Sequence, residues 1–86
     1  MKIDMNIIIY TKEGCGWCAE VINLLRSKDI PFEERNCTVN AQYFDELVQK
    51  SGQFMTPTLD IDGEIIADTD VQTVTSIFKE RGIPGF

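Results

Sequence analysis

Asn6-Ile7-Ile8-Ile9-Tyr10-Thr11 runs directly into Lys12-Glu13-Gly14-Cys15-Gly16-Trp17-Cys18. The first half is a β-branched run without polar alternation, which suits a central strand covered on both faces. From Cys15 the period changes. Cys18, Val21, Ile22 and Leu25 recur at i, i+3, i+4 and i+7, so a helix is expected over residues 15–28 with Cys18 on its core-facing stripe. Asp29-Ile30-Pro31 ends it. A Cys-x-x-Cys motif therefore falls where a buried strand hands over to a helix.

Outward from that junction, residues 32–37 read as a short polar strand at a sheet edge. Strand, helix and strand in this order form a right-handed parallel βαβ unit. Residues 41–50 read as a second helix with Phe44, Leu47 and Val48 inward, stopped by Gly52. Residues 58–61 and 64–67 are strands joined by Asp62-Gly63, a two-residue type I′ hairpin signal. Thr69-Asp70-Val71-Gln72 has the capping-box pattern, with Thr69 as N-cap and Gln72 at N3. Val71, Val74 and Phe78 give the helix that follows an apolar face; Lys79 and Arg81 suit its C-terminal dipole, and Gly82 and Pro84 close it. The order βαβ, α, ββα packs most simply as an α/β fold, a four-stranded mixed sheet flanked by three helices.

With 86 residues, the chain is expected to form a single domain, residues 1–86. Its 43% hydrophobic content separates it from disordered tails. Eight Lys+Arg against 14 Asp+Glu and no His give a formal charge of -6, which repels phosphate backbones, so no nucleic-acid partner is expected. No apolar segment approaches the roughly 20 residues that cross a bilayer, so no membrane partner is expected either. Met1-Lys2-Ile3-Asp4-Met5 lacks the apolar region of a signal peptide, and a cytoplasmic location is expected for the chain as written. An odd count of three cysteines argues against a secreted disulfide framework.

At the start of a helix, backbone N–H groups without intrahelical partners and the helix dipole favour an anion. A thiolate at such a position has its pKa lowered to about 3.5–7.5, from about 8.5 for a free cysteine. Gly14 and Gly16 leave the Cys15 sulfur open. Lys12 either adds positive charge beside it or is a solvated surface lysine. Cys18 lies one turn deeper, at a spacing that lets the two sulfurs meet. The roles follow from this asymmetry: Cys15 attacks a disulfide and Cys18 resolves the mixed disulfide. A zinc site would need two further ligands where only Cys37 remains, so no metal is expected. Trp17 either offers a flat apolar surface to a docking substrate or packs sideways on the third helix or a neighbouring loop. Cys37 reads as a strand-end residue without a redox role. Pro57, which cannot donate to a ladder, belongs at a strand start. General frequencies, with only about 5–6% of X–Pro bonds cis, favour trans for it.

Tyr10-Thr11-Lys12-x-x-Cys15-x-x-Cys18, Thr56-Pro57, Ile61-Asp62-Gly63 and Thr69-Asp70 together resemble the glutaredoxin family and its thioredoxin-like relatives. The resemblance implies a thioredoxin fold and, against the general frequency, a cis bond at Thr56–Pro57. It implies a dithiol thiol–disulfide oxidoreductase acting on protein or glutathione-mixed disulfides. It also implies a monomer with no tightly bound cofactor and with glutathione as co-substrate. The glutathione site would fall on Lys12, Cys15, Trp17, the backbone of Met55 and Thr56 before Pro57, and the Thr69-Asp70 corner, where Asp70 would accept from the glutathione amino group. Two alternatives stay open. One is an electron donor to a specific partner enzyme, itself reduced by a flavoprotein thioredoxin reductase. The other is a dimer holding a [2Fe–2S] cluster. The chain departs from the family pattern at three places. Gly16-Trp17 replaces Pro-Tyr, Met55-Thr56-Pro57 replaces Thr-Val-Pro, and Ala67-Asp68 replaces Gly-Gly. The last adds the charge of Asp68, which disfavours an anionic ligand by about 2 kcal/mol at about 8 Å before salt screening.

Overall fold

All five residues of β1 (Ile7–Thr11) are buried, because helices cover both sides of this central strand. In this computed structural model, which describes residues 5–86, β1 is followed by α1 (Gly16–Ser27), β2 (Glu33–Asn36) and α2 (Ala41–Ser51), then β3 (Thr58–Ile61), β4 (Glu64–Ile66) and α3 (Val71–Glu80). Residues 1–4, the bulk of the stretch read above for a signal peptide, lie outside the described residues. The sheet order is β2-β1-β3-β4. β1 runs parallel to β2, with Ile9 opposite Glu34, and antiparallel to β3, with Ile9 opposite Leu59. β3 and β4 are antiparallel. This is the expected mixed sheet, with the polar strand β2 at one edge and a thioredoxin-like arrangement of three helices.

Strand alternation divides the core. Ile7 and Ile9 point into a cluster with Val21, Leu25, Leu59, Val74 and Phe78, under α1 and α3. Ile8 and Tyr10 point the other way, to Leu47 and Cys37 beneath α2. Cys18, Val21, Ile22 and Leu25 are the buried residues of α1, so its predicted stripe is the observed one. The hairpin signal is also observed: Asp62 and Gly63 have φ of 52° and 92°, the two positive values that a type I′ turn requires. Asp62 further accepts from the Asn6 N–H, which ties the turn to the start of β1.

Two expectations need correction. In α2 only Leu47 is buried, whereas Phe44 and Val48 are 37% and 38% exposed. The helix instead turns Tyr43, Glu46, Leu47 and Lys50 toward the sheet, another i, i+3, i+4, i+7 set. The sheet face below explains this. It presents the Tyr10 hydroxyl, Arg35 and Asp60, which need polar partners when covered. Lys50 donates to Tyr10 Oη (2.7 Å) and Asp60 Oδ2 (2.8 Å), and Glu46 accepts from Tyr10 Oη (2.9 Å) and from Arg35. Hydropathy alone selects the wrong stripe because the correct one is held by ion pairs. The second correction concerns α3, whose N-cap is Asp70 rather than Thr69. Asp70 Oδ1 accepts from Thr73 N at 2.8 Å. Thr69 is drawn inward, its N–H donating to the Pro57 carbonyl at 2.8 Å. Among the described residues, no helix is long and apolar enough to cross a membrane.

Candidate active site

Cys15 is the N-cap of α1, with extended φ and ψ of -85° and 104°, and its carbonyl accepts from Ala19 N at 3.2 Å. Its Sγ accepts from the Cys18 N–H at 3.2 Å, so the sulfur stands where the first turn offers unpaired donors. Gly14, at φ 74°, makes the sharp entry that only glycine adopts without strain. Cys15 and Cys18 form a disulfide, with Cα atoms 5.2 Å apart. Cys15 is half-buried, whereas Cys18 is 3% exposed among the core residues of α1. The expected asymmetry between an accessible and a sheltered sulfur is present.

The Thr56–Pro57 peptide bond is cis, as the family resemblance implies and against the general frequency. The Thr56 carbonyl lies 3.8 Å from Cys15 Sγ, and the Thr56 hydroxyl donates to that sulfur at 3.6 Å. Thr56 N–H has no hydrogen-bond partner among the described residues, which leaves a main-chain donor free beside the disulfide. Gln53 braces this loop, accepting from Met55 N at 2.6 Å and donating to Thr58 Oγ1 at 3.2 Å. The bond from Thr69 N to Pro57 O fastens the loop to the start of α3. The Thr56 segment thus meets the Cys15 sulfur directly, and the start of α3 is fastened to that segment through Pro57. The Thr56 hydroxyl is the contributor that sequence reasoning missed. Its signal was the substitution of Thr for Val before Pro57.

Trp17 is 67% exposed and shares an open cavity of about 240 Å³ with Met55, Asp68, Thr69 and Asp70. It is therefore not buried against α3. Asp70 is exposed, and the Thr73 N–H bonded to it holds its carboxyl below the usual carboxylate range. Thr69 lines the same cavity, yet its hydroxyl is buried without a partner. Lys12 turns away from this side. Its Nζ donates to the Phe54 carbonyl at 2.6 Å and sits 5.3 Å and 5.8 Å from the rings of Phe54 and Phe44. The Lys12 carbonyl accepts from Cys15 N at 3.3 Å, but among the described residues no hydrogen bond joins its ammonium to the Cys15 sulfur, so that group clamps the loop before Pro57. Cys37 is not brought to the site. It lies under α2, where burial pushes its thiol pKa up. Among the described residues no group of three or more His, Cys, Asp or Glu is arranged to hold a metal ion.

The sequence matches the glutaredoxin family over residues 7–66. Glutaredoxin 3 of Escherichia coli (strain K12) is 37% identical to it over 65 residues, 76% of this chain and 78% of that protein. An uncharacterized glutaredoxin-like protein in the rubredoxin operon of Clostridium pasteurianum is 35% identical over 74 residues, 86% of this chain and 99% of that protein. Among solved structures, that of a thioredoxin-like protein superposes with a TM-score of 0.77 at 26% identity, covering 84% of this chain and 99% of that one.

Proposed function

The chain belongs to the glutaredoxin family and is a thiol–disulfide oxidoreductase, and from that premise we propose that it reduces protein disulfides and glutathione-mixed disulfides through Cys15 as nucleophile and Cys18 as resolving thiol. The observation that carries this reading is the seat of Cys15. Its sulfur caps α1, takes the Cys18 N–H and the Thr56 hydroxyl, and stays accessible while Cys18 is covered.

The reaction starts from the reduced pair. The Cys15 thiolate attacks one sulfur of the substrate disulfide, and the other sulfur leaves as a thiolate that takes up a proton. The resulting mixed disulfide joins Cys15 to the substrate. Cys18 then loses its proton, attacks Cys15 Sγ and expels the second substrate thiolate. The substrate gains two electrons and two protons, and the protein is left with the Cys15–Cys18 disulfide. A reductant, either glutathione or a flavoprotein reductase, returns the pair to dithiol. Donors held at the helix mouth favour the attacking anion without a histidine. The free Thr56 N–H and the Thr56 carbonyl offer an extended substrate a short strand-like pairing. Trp17, Met55, Thr69 and Asp70 flank that track. Glutathione serves as co-substrate, no cofactor is tightly bound, and the protein works as a monomer in a reducing compartment such as the cytoplasm.

Turnover of a peptide disulfide, with mass spectrometry of trapped adducts, tests the assignment. Cys15→Ser is expected to reduce turnover to background. Cys18→Ser is expected to accumulate a substrate adduct at Cys15 and to lose protein-disulfide reduction more than release of glutathione. Full turnover by Cys15→Ser would refute the role given to Cys15.

A further inference from the structure

We propose that Asp68 and Asp70, walled by Trp17 and Met55, form a subsite for a lysine or arginine side chain flanking the target cysteine of a protein disulfide, with Asp68 as the specificity-determining residue. This rests on the dithiol reading above and goes on to name the class of substrate. The cavity lies beside the chemistry: Trp17 sits between the two cysteines, and Met55 precedes Thr56, whose carbonyl lies 3.8 Å from Cys15 Sγ. An extended peptide with its sulfur on Cys15 would run along Thr56 and set a neighbouring side chain into this corner.

The lining fits a cation. No Lys or Arg contributes to it. The Asp70 carboxylate accepts from Thr73 N and stays exposed to the cavity. The Asp68 carboxylate is exposed and has no hydrogen bond or ion pair among the described residues; only its main-chain N–H is engaged, with Thr58 Oγ1. Trp17 presents an indole beside these charges, and an aromatic face with carboxylates is the chemistry that recognises ammonium and guanidinium groups. Thr69 also lines the cavity; it is 5% exposed, and its buried hydroxyl has no partner among the described residues. Glutathione suits the corner less well, since it brings one ammonium but two carboxylates toward a pair of negative charges. The chain's net charge of -6 adds to the same bias.

The test is steady-state reduction of three synthetic peptide disulfides, identical except for Arg, Gln or Glu beside the cysteine. The wild type is expected to prefer the Arg peptide over the Glu peptide in kcat/KM. Each unit charge facing Asp68 at about 8 Å, screened over a Debye length of about 8 Å, changes the rate about fourfold, so Asp68→Asn should lower the Arg/Glu ratio by about tenfold. Asp68→Lys should lower it further and bring the Glu peptide ahead, and added salt should compress the wild-type ratio. A wild-type ratio near one overturns the subsite, as does a ratio that both variants leave unchanged; in either case, wild-type turnover of the Gln peptide leaves the dithiol chemistry standing. Failure of the wild type to reduce any of the three peptides overturns the dithiol reading and the subsite with it.

Discussion

Replacing Thr56 by Val removes one of the two donors on Cys15 Sγ and little else. The hydroxyl lies 3.6 Å from the sulfur, while the Cys18 N–H, at 3.2 Å, belongs to the helix and is untouched. Valine has nearly the shape of threonine and is the residue that the family pattern places before this proline, so the loop keeps its course. A hydrogen bond to a charged group contributes about 1.5–3 kcal/mol. At this length and with a half-buried donor, the contribution to the thiolate is about 1 kcal/mol, which corresponds to about 0.7 pH unit at 1.36 kcal/mol per unit. The measurement is the rate of Cys15 alkylation by iodoacetamide against pH, made in a Cys18→Ser background so that one sulfur is read. The Thr56→Val midpoint is expected about 0.7 unit higher, and alkylation well below both midpoints about fivefold slower. Thr56→Ser, which keeps the hydroxyl, is expected to restore the original profile. A midpoint that moves by less than about 0.2 unit in Thr56→Val would refute the claim that this hydroxyl supports the anion.

The network beneath α2 sets the pH limits of stability. The carboxyls of Asp60 and Glu46 resist the upward pull of burial and lie below the usual range, through bonds from Lys50 and the Gly63 N–H to Asp60 and from Tyr10 and Arg35 to Glu46. Depressed carboxylates contribute stability above their unfolded values, so chemical denaturation is expected to show stability lost as pH falls below about 4. Burial raises the Tyr10 phenol, and bonds to Asp60 and Tyr10 raise Lys50 against its desolvation, so their contribution is complete below about pH 10 and lost above it. Lys50→Met removes the ammonium donor from Asp60 and Tyr10, with Asp60 keeping the Gly63 N–H, and is expected to cost about 2 kcal/mol at neutral pH, with the acid limb moved to higher pH. Asn40→Ala removes the acceptor for Gln42 N at the start of α2 and is expected to lower stability by about 1 kcal/mol, read as a shift in denaturant midpoint without a change in slope. Phe78→Ala empties a fully buried position where α3 meets the core and is expected to cost about 3–5 kcal/mol by the same assay.

What could be read from the sequence and what could not divide along one physical line. β1, α1 and the Asp62-Gly63 hairpin were legible because each depends on its own residues: a β-branched run, a 3.6-residue apolar stripe, and a dipeptide that tolerates two positive φ values. The Cys15–Cys18 pair was legible for the same reason, since a helix start supplies its own donors. The errors came where a distant partner decides. Phe44 and Val48 looked more apolar than Glu46 and Lys50, yet the latter face the sheet because Asp60, Arg35 and Tyr10, far apart in sequence, wait there with polar groups. Thr69 looked like the better helix cap, yet the Pro57 carbonyl draws its N–H inward and passes the cap to Asp70. Lys12 reads from the sequence as either a charge beside the sulfur or a solvated surface lysine, and its ammonium is seen to donate to the Phe54 carbonyl, 42 residues away in sequence. The cis proline shows the boundary most sharply. Its chemistry as an isolated dipeptide favours trans, and only the recurrence of the whole pattern, with the loop set opposite a reactive sulfur, favours cis. Local chemistry therefore located the paired sulfurs, whereas the surroundings of that pair arise from contacts made only after folding. The sequence hinted at those contacts only where a residue departs from the pattern around it, as Thr56 and Asp68 do.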